Sequence, residues 1–272
     1  MAHASTPAVF VAHRGVGGAA QVRLGIPENS IPAWDWAIKN TTEPNLMVDM
    51  DVQITSDGHF VVMHDATIDR TTNRSGRVRD RSLAYIKAAY LELDRDLDGN
   101  GNDDNTPWRP PSLNQALDFL KTKTVAGAPV RLTIETKGSG WTQSRINRLY
   151  TLINEKGLRS RVNVHAFSLS VTSMLKTAGF PDRAYVNPSD DPCPSNSVVL
   201  KYAHGVFLNI ATPGLTKARV DDYAAAGIKV WVWTLDKPGE FDKAIALGPG
   251  VHAWITDELL VAQQRARDAG MA

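Results

Sequence analysis

Short apolar runs rich in β-branched and aromatic residues alternate with amphipathic segments along almost the whole chain, and this alternation constrains the fold more than any other feature. Strands that alternate with helices pair in parallel through crossover connections. Eight such units in 272 residues predict an α/β chain that closes as a TIM (β/α)8 barrel. An open doubly wound sheet is the alternative, because periodicity alone does not separate the two. The principal strands are predicted at Val9–His13, Leu46–Ile54, Val130–Lys137, Arg161–Phe167, Arg183–Asn187, Val206–Ile210, Lys229–Leu235 and Val251–Thr256.

One hairpin interrupts the alternation near the second strand. Asp57-Gly58 predicts a tight turn that leads into a further short strand at Phe60–His64. With 43% apolar residues the chain can bury a large core, and no linker or internal repeat divides it. We therefore predict one domain over residues 1–272, with residues 94–111 as a short acidic insertion after the second strand region.

The insertion contains the spacing Asp-x-Asp-x-Asp-Gly that begins many Ca²⁺-binding loops. In such loops the twelfth position supplies a bidentate Glu, whereas this sequence has Asn105 there. A solvated acidic turn is the preferred interpretation. The alternative is a second, structural Ca²⁺ site at Asp94, Asp96 and Asp98.

Charge and cysteine content exclude several classes of partner and site. Lys and Arg number 30 against 29 Asp and Glu, so the formal charge of +1 argues against bulk electrostatic binding to nucleic acid. The single cysteine, Cys193, rules out an intrachain disulfide and a cysteine-built metal site.

No run approaches the roughly 18 apolar residues that a membrane span needs. Ala2-His3-Ala4 resembles the end of a signal-peptide cleavage site, so we expect a mature secreted or cell-envelope bacterial protein, with a cytoplasmic one as the alternative; the oligomeric state stays open.

Polar side chains interrupt the apolar strands at the end where a TIM barrel carries its chemistry. Catalytic residues of this fold lie at the C-terminal ends of the strands. Asp49 and Asp51 are two residues apart and therefore share one face of their strand. Glu135 and Lys137 share one face of the next strand for the same reason. The set comprises His13, Arg14, Asp49, Asp51, His64, Glu135 and Lys137.

The acidic members of this set predict a metal site. Ionised carboxylates inside a barrel repel one another and are costly to desolvate, and a divalent cation relieves both effects. Asp49, Asp51 and Glu135 offer only oxygen ligands, which suits Ca²⁺ or Mg²⁺ better than zinc.

The basic members predict phosphate chemistry. Arg14 and Lys137 supply positive charge that would hold a phosphate, and His13 and His64 would exchange protons near neutral pH. Taken one at a time, each residue has an ordinary structural explanation. At consecutive strand ends they together predict metal-assisted cleavage of a phosphate ester.

These residues occur in motifs that resemble the glycerophosphodiester phosphodiesterase family. The resemblance spans the chain from Val11 to Leu260 and implies a TIM barrel that hydrolyses deacylated phospholipids to sn-glycerol 3-phosphate and an alcohol. The motifs appear in the family's order: His13-Arg14-Gly15, Pro27-Glu28-Asn29, Asp49-Met50-Asp51, Asp57-Gly58, His64-Asp65, Asp69-Arg70-Thr71-Thr72, Ile134-Glu135-Thr136-Lys137, Val232-Trp233-Thr234 and Ile255-Thr256-Asp257.

The resemblance also implies a role for each position. Residues equivalent to His13 and His64 act in the family as base and acid, and those equivalent to Arg14 and Lys137 contact the phosphate. One Ca²⁺ or Mg²⁺ ion is bound by three acids. In this chain those three acids are Asp49, Asp51 and Glu135. Positions implied to line the substrate pocket are Glu28, Asn29, Phe167 and Trp233.

Three positions depart from the family pattern. Asp49 replaces the usual Glu and is one methylene shorter, which makes it the least secure of the metal ligands. Asp236 stands where the family often has Asn, and His165 stands where a smaller or polar residue is usual. We interpret His165 as a structural histidine, with a substrate contact as the alternative.

Two other functions stay open from the sequence. A phospholipase-D-like lyase acting on lysophospholipids shares this barrel and chemistry but needs an apolar acyl-binding surface, for which we see no exposed hydrophobic loop. A non-catalytic phosphodiester-binding protein is the other alternative, and the presence of both His13 and His64 argues against it. The nucleophile is either the glycerol 2-hydroxyl, which gives a cyclic phosphate, or water.

Overall fold

Eight parallel strands close into a barrel in the computed structural model, which describes residues 9–93 and 106–271. The first strand pairs with both the second and the last, so the sheet has no open edge within the barrel. This closure confirms the TIM barrel and excludes the doubly wound sheet. In order around the barrel the strands are β1 Val9–Ala12, β2 Leu46–Ile54, β6 Arg131–Thr136, β7 Val162–Ala166, β8 Arg183–Val186, β9 Gly205–Asn209, β10 Lys229–Trp233 and β11 Val251–Thr256.

Three short strands lie outside the closed ring. Strand β3, Phe60–Val62, pairs antiparallel with the end of β2 and forms the predicted hairpin. Strands β4, Thr124–Val125, and β5, Ala128–Pro129, form a small hairpin that the sequence analysis did not predict. The hairpin at β3 matters for function, because the chain that follows it returns across the catalytic end of the barrel.

Helices cover the outside of the barrel. Most begin at a Ser or Thr whose hydroxyl accepts a hydrogen bond from a first-turn backbone N–H; Ser30, for example, caps the helix that starts at Ile31. The described helices are α1 Gly18–Leu24, α2 Ile31–Asn40, α3 Leu83–Lys87, α4 Leu113–Leu120, α5 Gln143–Glu155, α6 Leu169–Ala178, α7 Asn196–Tyr202, α8 Lys217–Ala225, α9 Pro238–Leu247 and α10 Leu259–Asp268. Short 3-10 turns lie at Val78–Asp80 and Arg159–Arg161.

Side chains alternate along each strand between the helices and the barrel interior. The outward residues, such as Val48 and Met50 of β2, pack against the helices in the main core. The inward residues form a second, smaller cluster that includes Met47, Phe207 and Trp231. On β2 this inward face continues from Met47 to Asp49 and Asp51, so the same period of two that fills the barrel floor carries carboxylates to its catalytic end.

Two further sequence expectations concern the acidic insertion and the absence of a membrane span. Asp94, Asp96 and Asp98, the alternative Ca²⁺ site of the insertion, lie outside the described residues. Across the two described ranges, every helix is too short or too polar to cross a membrane.

Candidate active site

Strand register brings the predicted acidic residues to one level of the barrel. Asp51 of β2 lies opposite Glu135 of β6, and Glu135 lies opposite His165 of β7. Asp49 lies one layer deeper, opposite Thr133. Neighbours in parallel register point to the same face of a sheet, so all of these side chains project into the barrel interior.

His13 is held by a carboxylate from the other end of the chain. Its Nδ1 lies 2.7 Å from Oδ1 of Asp257, which follows β11. Since an ionised carboxylate only accepts, Nδ1 carries the proton and donates it, and Nε2 is the nitrogen left for other partners. Burial by itself lowers the pKa of His13, but the charge and hydrogen bond of Asp257 outweigh burial and raise that pKa above its ordinary value.

His64 is held in the same way by its neighbour in sequence. Its Nδ1 lies 2.6 Å from Oδ1 of Asp65, and Nε of Arg70 donates to the other oxygen of that carboxylate at 2.6 Å. Burial opposes ionisation of Asp65, but the hydrogen bonds from His64 and Arg70 prevail and hold the pKa of Asp65 well below its usual range. Asp65 therefore stays ionised and fixes the His64 ring.

Arg14 and Asn29 have left-handed backbones, each with φ of 53°. That conformation is uncommon away from glycine and is concentrated at functional positions. It allows the backbone N–H of Arg14 to donate to Oδ2 of Asp49 at 3.2 Å, while its guanidinium pairs with Glu28. The side chain of Asn29 brackets Asp51: its Nδ2 donates to the carboxylate at 2.8 Å and its Oδ1 accepts from the Asp51 N–H at 3.1 Å.

Lys137 occupies the gap between two of the acidic residues. Its Nζ lies 3.0 Å from Oε1 of Glu135 and 3.9 Å from Oδ1 of Asp51. Arg14 approaches Asp51 from another direction, with 3.6 Å between Nε and Oδ2, and that Nε makes no hydrogen bond to any described residue. Two cations thus flank Asp51 and leave donor capacity for an anion.

The carboxylates respond differently to this shared environment. Burial and the nearby Asp51 raise the pKa of Glu135, and the same two causes raise the pKa of Asp49. The pKa of Asp51 shifts in the opposite direction. Burial opposes ionisation of Asp51, but the charges of His64, Arg14 and Lys137 outweigh burial and lower its pKa. The protein's own cations therefore stabilise the ionised form of Asp51, whereas full ionisation of Asp49 and Glu135 requires further positive charge beside them.

A pocket of about 110 Å³ opens over these groups. A surface groove of about 720 Å³ beside Phe60 is larger, so convergence of charged groups, and not volume, identifies the site. Predicted site residues that line the pocket are His13, Arg14, Asp49, His64, Glu135, Lys137, Phe167 and Trp233.

Three of the predicted residues lie behind the pocket wall. Asp51 is covered by Arg14, Lys137 and Asn29, and only 2% of its surface is exposed. Glu28 and Asn29 are equally buried, and their side chains fix Arg14 and Asp51 from behind. In this arrangement they act on the pocket through the residues that they position.

Two aromatic residues and His165 complete the wall. Phe167 is 40% exposed, packs edge-on against Trp233 and lies under the Lys137 ammonium. His165 stacks on Phe207 and bonds through Nδ1 to Thr133 at 3.0 Å. Burial lowers the pKa of His165 to about 3, so the ring is neutral. Its packing fits the structural interpretation, and its place in the wall keeps it within reach of a bound molecule.

The acidic residues have the chemistry of divalent-cation ligands, but their side chains do not converge on one coordination point in the described structure. Within residues 9–93 and 106–271, no group of three or more His, Cys, Asp and Glu side chains is arranged to hold a metal ion as it stands. The Lys137 ammonium lies between Glu135 and Asp51, two of the side chains that would form such a group. The donor atoms are nevertheless all oxygens, and they are buried. The raised pKa values of Asp49 and Glu135 mean that a nearby positive charge would favour their ionised forms, and a hard cation would supply that charge.

Sequence reasoning assigned no role to Asp257, Asp65 or Arg70, although all three occur in the motifs. Asp65 and Arg70 form one network with Glu28, in which Arg70 donates to Glu28 at 2.8 Å. Gly17 and Gly18 leave room for Asp257, because a side chain at either position would collide with its carboxylate. His64 and Asp65 therefore belong to one network with Arg70 and Glu28, and Asp257 holds His13 separately.

Comparisons with known proteins bear on the family and the fold of this chain. The sequence profile described as the glycerophosphoryl diester phosphodiesterase family matches residues 13–261. A glycerophosphodiester phosphodiesterase from Caldanaerobacter subterraneus subsp. tengcongensis is 28% identical and covers 92% of this chain and 94% of its own. A glycerophosphodiester phosphodiesterase from Parabacteroides distasonis superposes with a TM-score of 0.74 at 20% identity, covering 97% of this chain and 98% of that one. A phosphodiesterase from Oleispira antarctica, solved with the product sn-glycerol-3-phosphate, also has a TM-score of 0.74 at 20% identity, with 96% and 97% coverage.

Proposed function

This chain belongs to the glycerophosphoryl diester phosphodiesterase family and is a phosphoric diester hydrolase of that class, and from this premise we propose its substrate and residues. We propose that it hydrolyses glycerophosphodiesters such as glycerophosphocholine and glycerophosphoethanolamine to sn-glycerol 3-phosphate and an alcohol. The product bound in the Oleispira antarctica relative supports this choice.

One observation carries the proposal: two histidines line the same small pocket, and a carboxylate holds each through Nδ1. Each Nε2 is then free to exchange a proton with a bound molecule. Arg14 and Lys137 line the same pocket and supply the positive charge that a phosphodiester needs. A phosphodiester bound by these cations lies between two proton-exchanging groups.

The proposed chemistry uses His13 as the base and His64 as the acid. Arg14 and Lys137 hold the phosphate oxygens while His13 removes a proton from the attacking hydroxyl. That hydroxyl belongs either to glycerol, at its 2-position, or to water. His64 protonates the departing alcohol, so the leaving group departs neutral. If the glycerol hydroxyl attacks, water opens the resulting ring with the two histidine roles reversed.

A divalent cation, Ca²⁺ or Mg²⁺, would be held by Asp49, Asp51 and Glu135. When bound, it would stabilise negative charge on the phosphate and lower the pKa of a coordinated hydroxyl. Lys137 contacts two of these acids and also lines the pocket, so its ammonium would serve the phosphate where the cation supplied the charge beside Glu135.

The proposed function is tested by release of glycerol 3-phosphate from glycerophosphocholine with and without EDTA. We expect release that EDTA abolishes and that added Ca²⁺ or Mg²⁺ restores. Cleavage of lysophosphatidylcholine to a cyclic phosphate, with glycerophosphocholine untouched, would favour the lyase. Saturable binding of glycerophosphocholine without turnover would favour a binding protein.

Replacing Asp257 with Asn should change both the rate and its pH dependence. Without the carboxylate the pKa of His13 falls, so the acid limb of the kcat/KM profile should move to lower pH. The His13 ring also loses its fixed tautomer, and we expect kcat to fall about 10²-fold or more. Asp242→Asn, on the outside of α9, is the control. If the acid limb of the kcat/KM profile of Asp257→Asn lies at the same pH as that of the wild type, the assignment of His13 as the base is contradicted.

A further inference from the structure

A second cleft, of about 310 Å³, opens at the catalytic end of the barrel. Gln53 near the end of β2, Ala66 after β3 and Gly138 after β6 form part of its wall. These positions follow the C-terminal ends of strands or of the hairpin, so the cleft lies on the same face as the active site.

The cleft adjoins the groups proposed to act on the leaving alcohol. Ala66 is two residues beyond His64, and Gly138 directly follows Lys137. Nε2 of Gln53 donates to the backbone carbonyls of Met63 and His64, at 2.9 and 3.1 Å, and also to that of Asp65. The backbone that carries His64 is thereby fixed as a shared wall between the two cavities.

Two arginines give the cleft its charge. Arg77 is exposed, and its guanidinium has no hydrogen-bond or ion-pair partner in the described part of the chain. Arg79 is 58% exposed in its side chain, lies 3.7 Å from Asp80 and reaches the Ser139 hydroxyl at 3.5 Å. Guanidinium groups match the oxygens of a phosphate in pairs, and a hydroxyl beside them adds a donor.

We propose that this cleft binds a second phosphate group, carried on the alcohol part of the substrate. The inference rests on the proposed function, in which His64 protonates the leaving alcohol. An alcohol that departs past His64 follows the segment from His64 to Ala66, which lines the active-site pocket at His64 and the second cleft, with Arg77 and Arg79, at Ala66. The preferred substrates are then glycerophosphodiesters whose alcohol bears a phosphate monoester. Diesters of a cationic alcohol such as choline are still cleaved but gain nothing from the two arginines.

The test compares glycerophosphoinositol with glycerophosphoinositol 4-phosphate, which differ only in the added phosphate. We expect wild-type protein to prefer the phosphorylated diester about tenfold in kcat/KM, because two exposed ion pairs each contribute about two- to fivefold. The preference should reside in KM and should shrink in 0.5 M NaCl (about a 4 Å screening length).

The Arg77→Gln/Arg79→Gln double variant should lose this preference and keep the wild-type rate on glycerophosphoinositol. Arg159→Gln, which removes one charge at the opposite end of the barrel before β7, should retain the preference. Equal preference in the wild type and the double variant would overturn the inference. If the wild type cleaves no glycerophosphodiester at all, the proposed function fails, and this inference fails with it.

Discussion

Replacing either His13 or His64 with alanine is expected to lower kcat by about 10²–10⁴-fold with a modest change in KM, because each ring moves a proton and neither holds the phosphate. The double variant should lose little more than the worse single variant, since residues that act as one unit are not additive. Stopped assays of glycerol 3-phosphate release at saturating glycerophosphocholine measure this effect directly.

The matched control is His59→Ala, which removes an exposed imidazole from the turn before β3. It should leave kcat unchanged. Circular dichroism would verify that the His13 and His64 variants remain folded. Wild-type turnover in both variants would eliminate the acid and base assignment.

Glu135→Gln is expected to lower kcat/KM by about 10³-fold, because a bound cation contributes several kcal/mol of charge stabilisation and each 1.36 kcal/mol is tenfold in rate. Gln keeps the size of the side chain but removes the charge of one of the three proposed cation ligands. A second readout needs no substrate. Cation at about 100 times its Kd should stabilise the wild type by about 2.7 kcal/mol, seen as a rise in Tm, and this rise should disappear in Glu135→Gln.

Asp118→Asn is the control for this variant, since it removes an exposed carboxylate that pairs with Lys121 and Lys156 on the helical layer. Its cation-dependent rise in Tm should equal that of the wild type. A Glu135→Gln protein that keeps both the full activity and the full rise in Tm would show that Glu135 is not a cation ligand.

The fold could be predicted because each of its determinants is local. Apolar strands of four to nine residues, separated by capped helices, leave few topologies, and all eight predicted barrel strands are found. Boundaries are less exact: the strand predicted at Val9–His13 ends at Ala12, and the one predicted at Lys229–Leu235 ends at Trp233.

The candidate site could be predicted only where its residues belong to strand ends. Asp51 and Glu135 are neighbours because two strands pair, which the alternation of elements implies. The partner of His13 was beyond such reasoning. His13 and Asp257 are 244 positions apart, and only the three-dimensional closure of the barrel reveals that they touch.

That contact has a consequence for how the protein matures. Strand β1 emerges first during synthesis and β11 among the last, and their pairing sets Asp257 against His13. A nascent chain therefore holds an unsupported imidazole until its C-terminal segment docks. Onset of turnover should coincide with the final step of assembly, which makes hydrolysis a sensitive reporter of complete folding in any truncated or partially synthesised form.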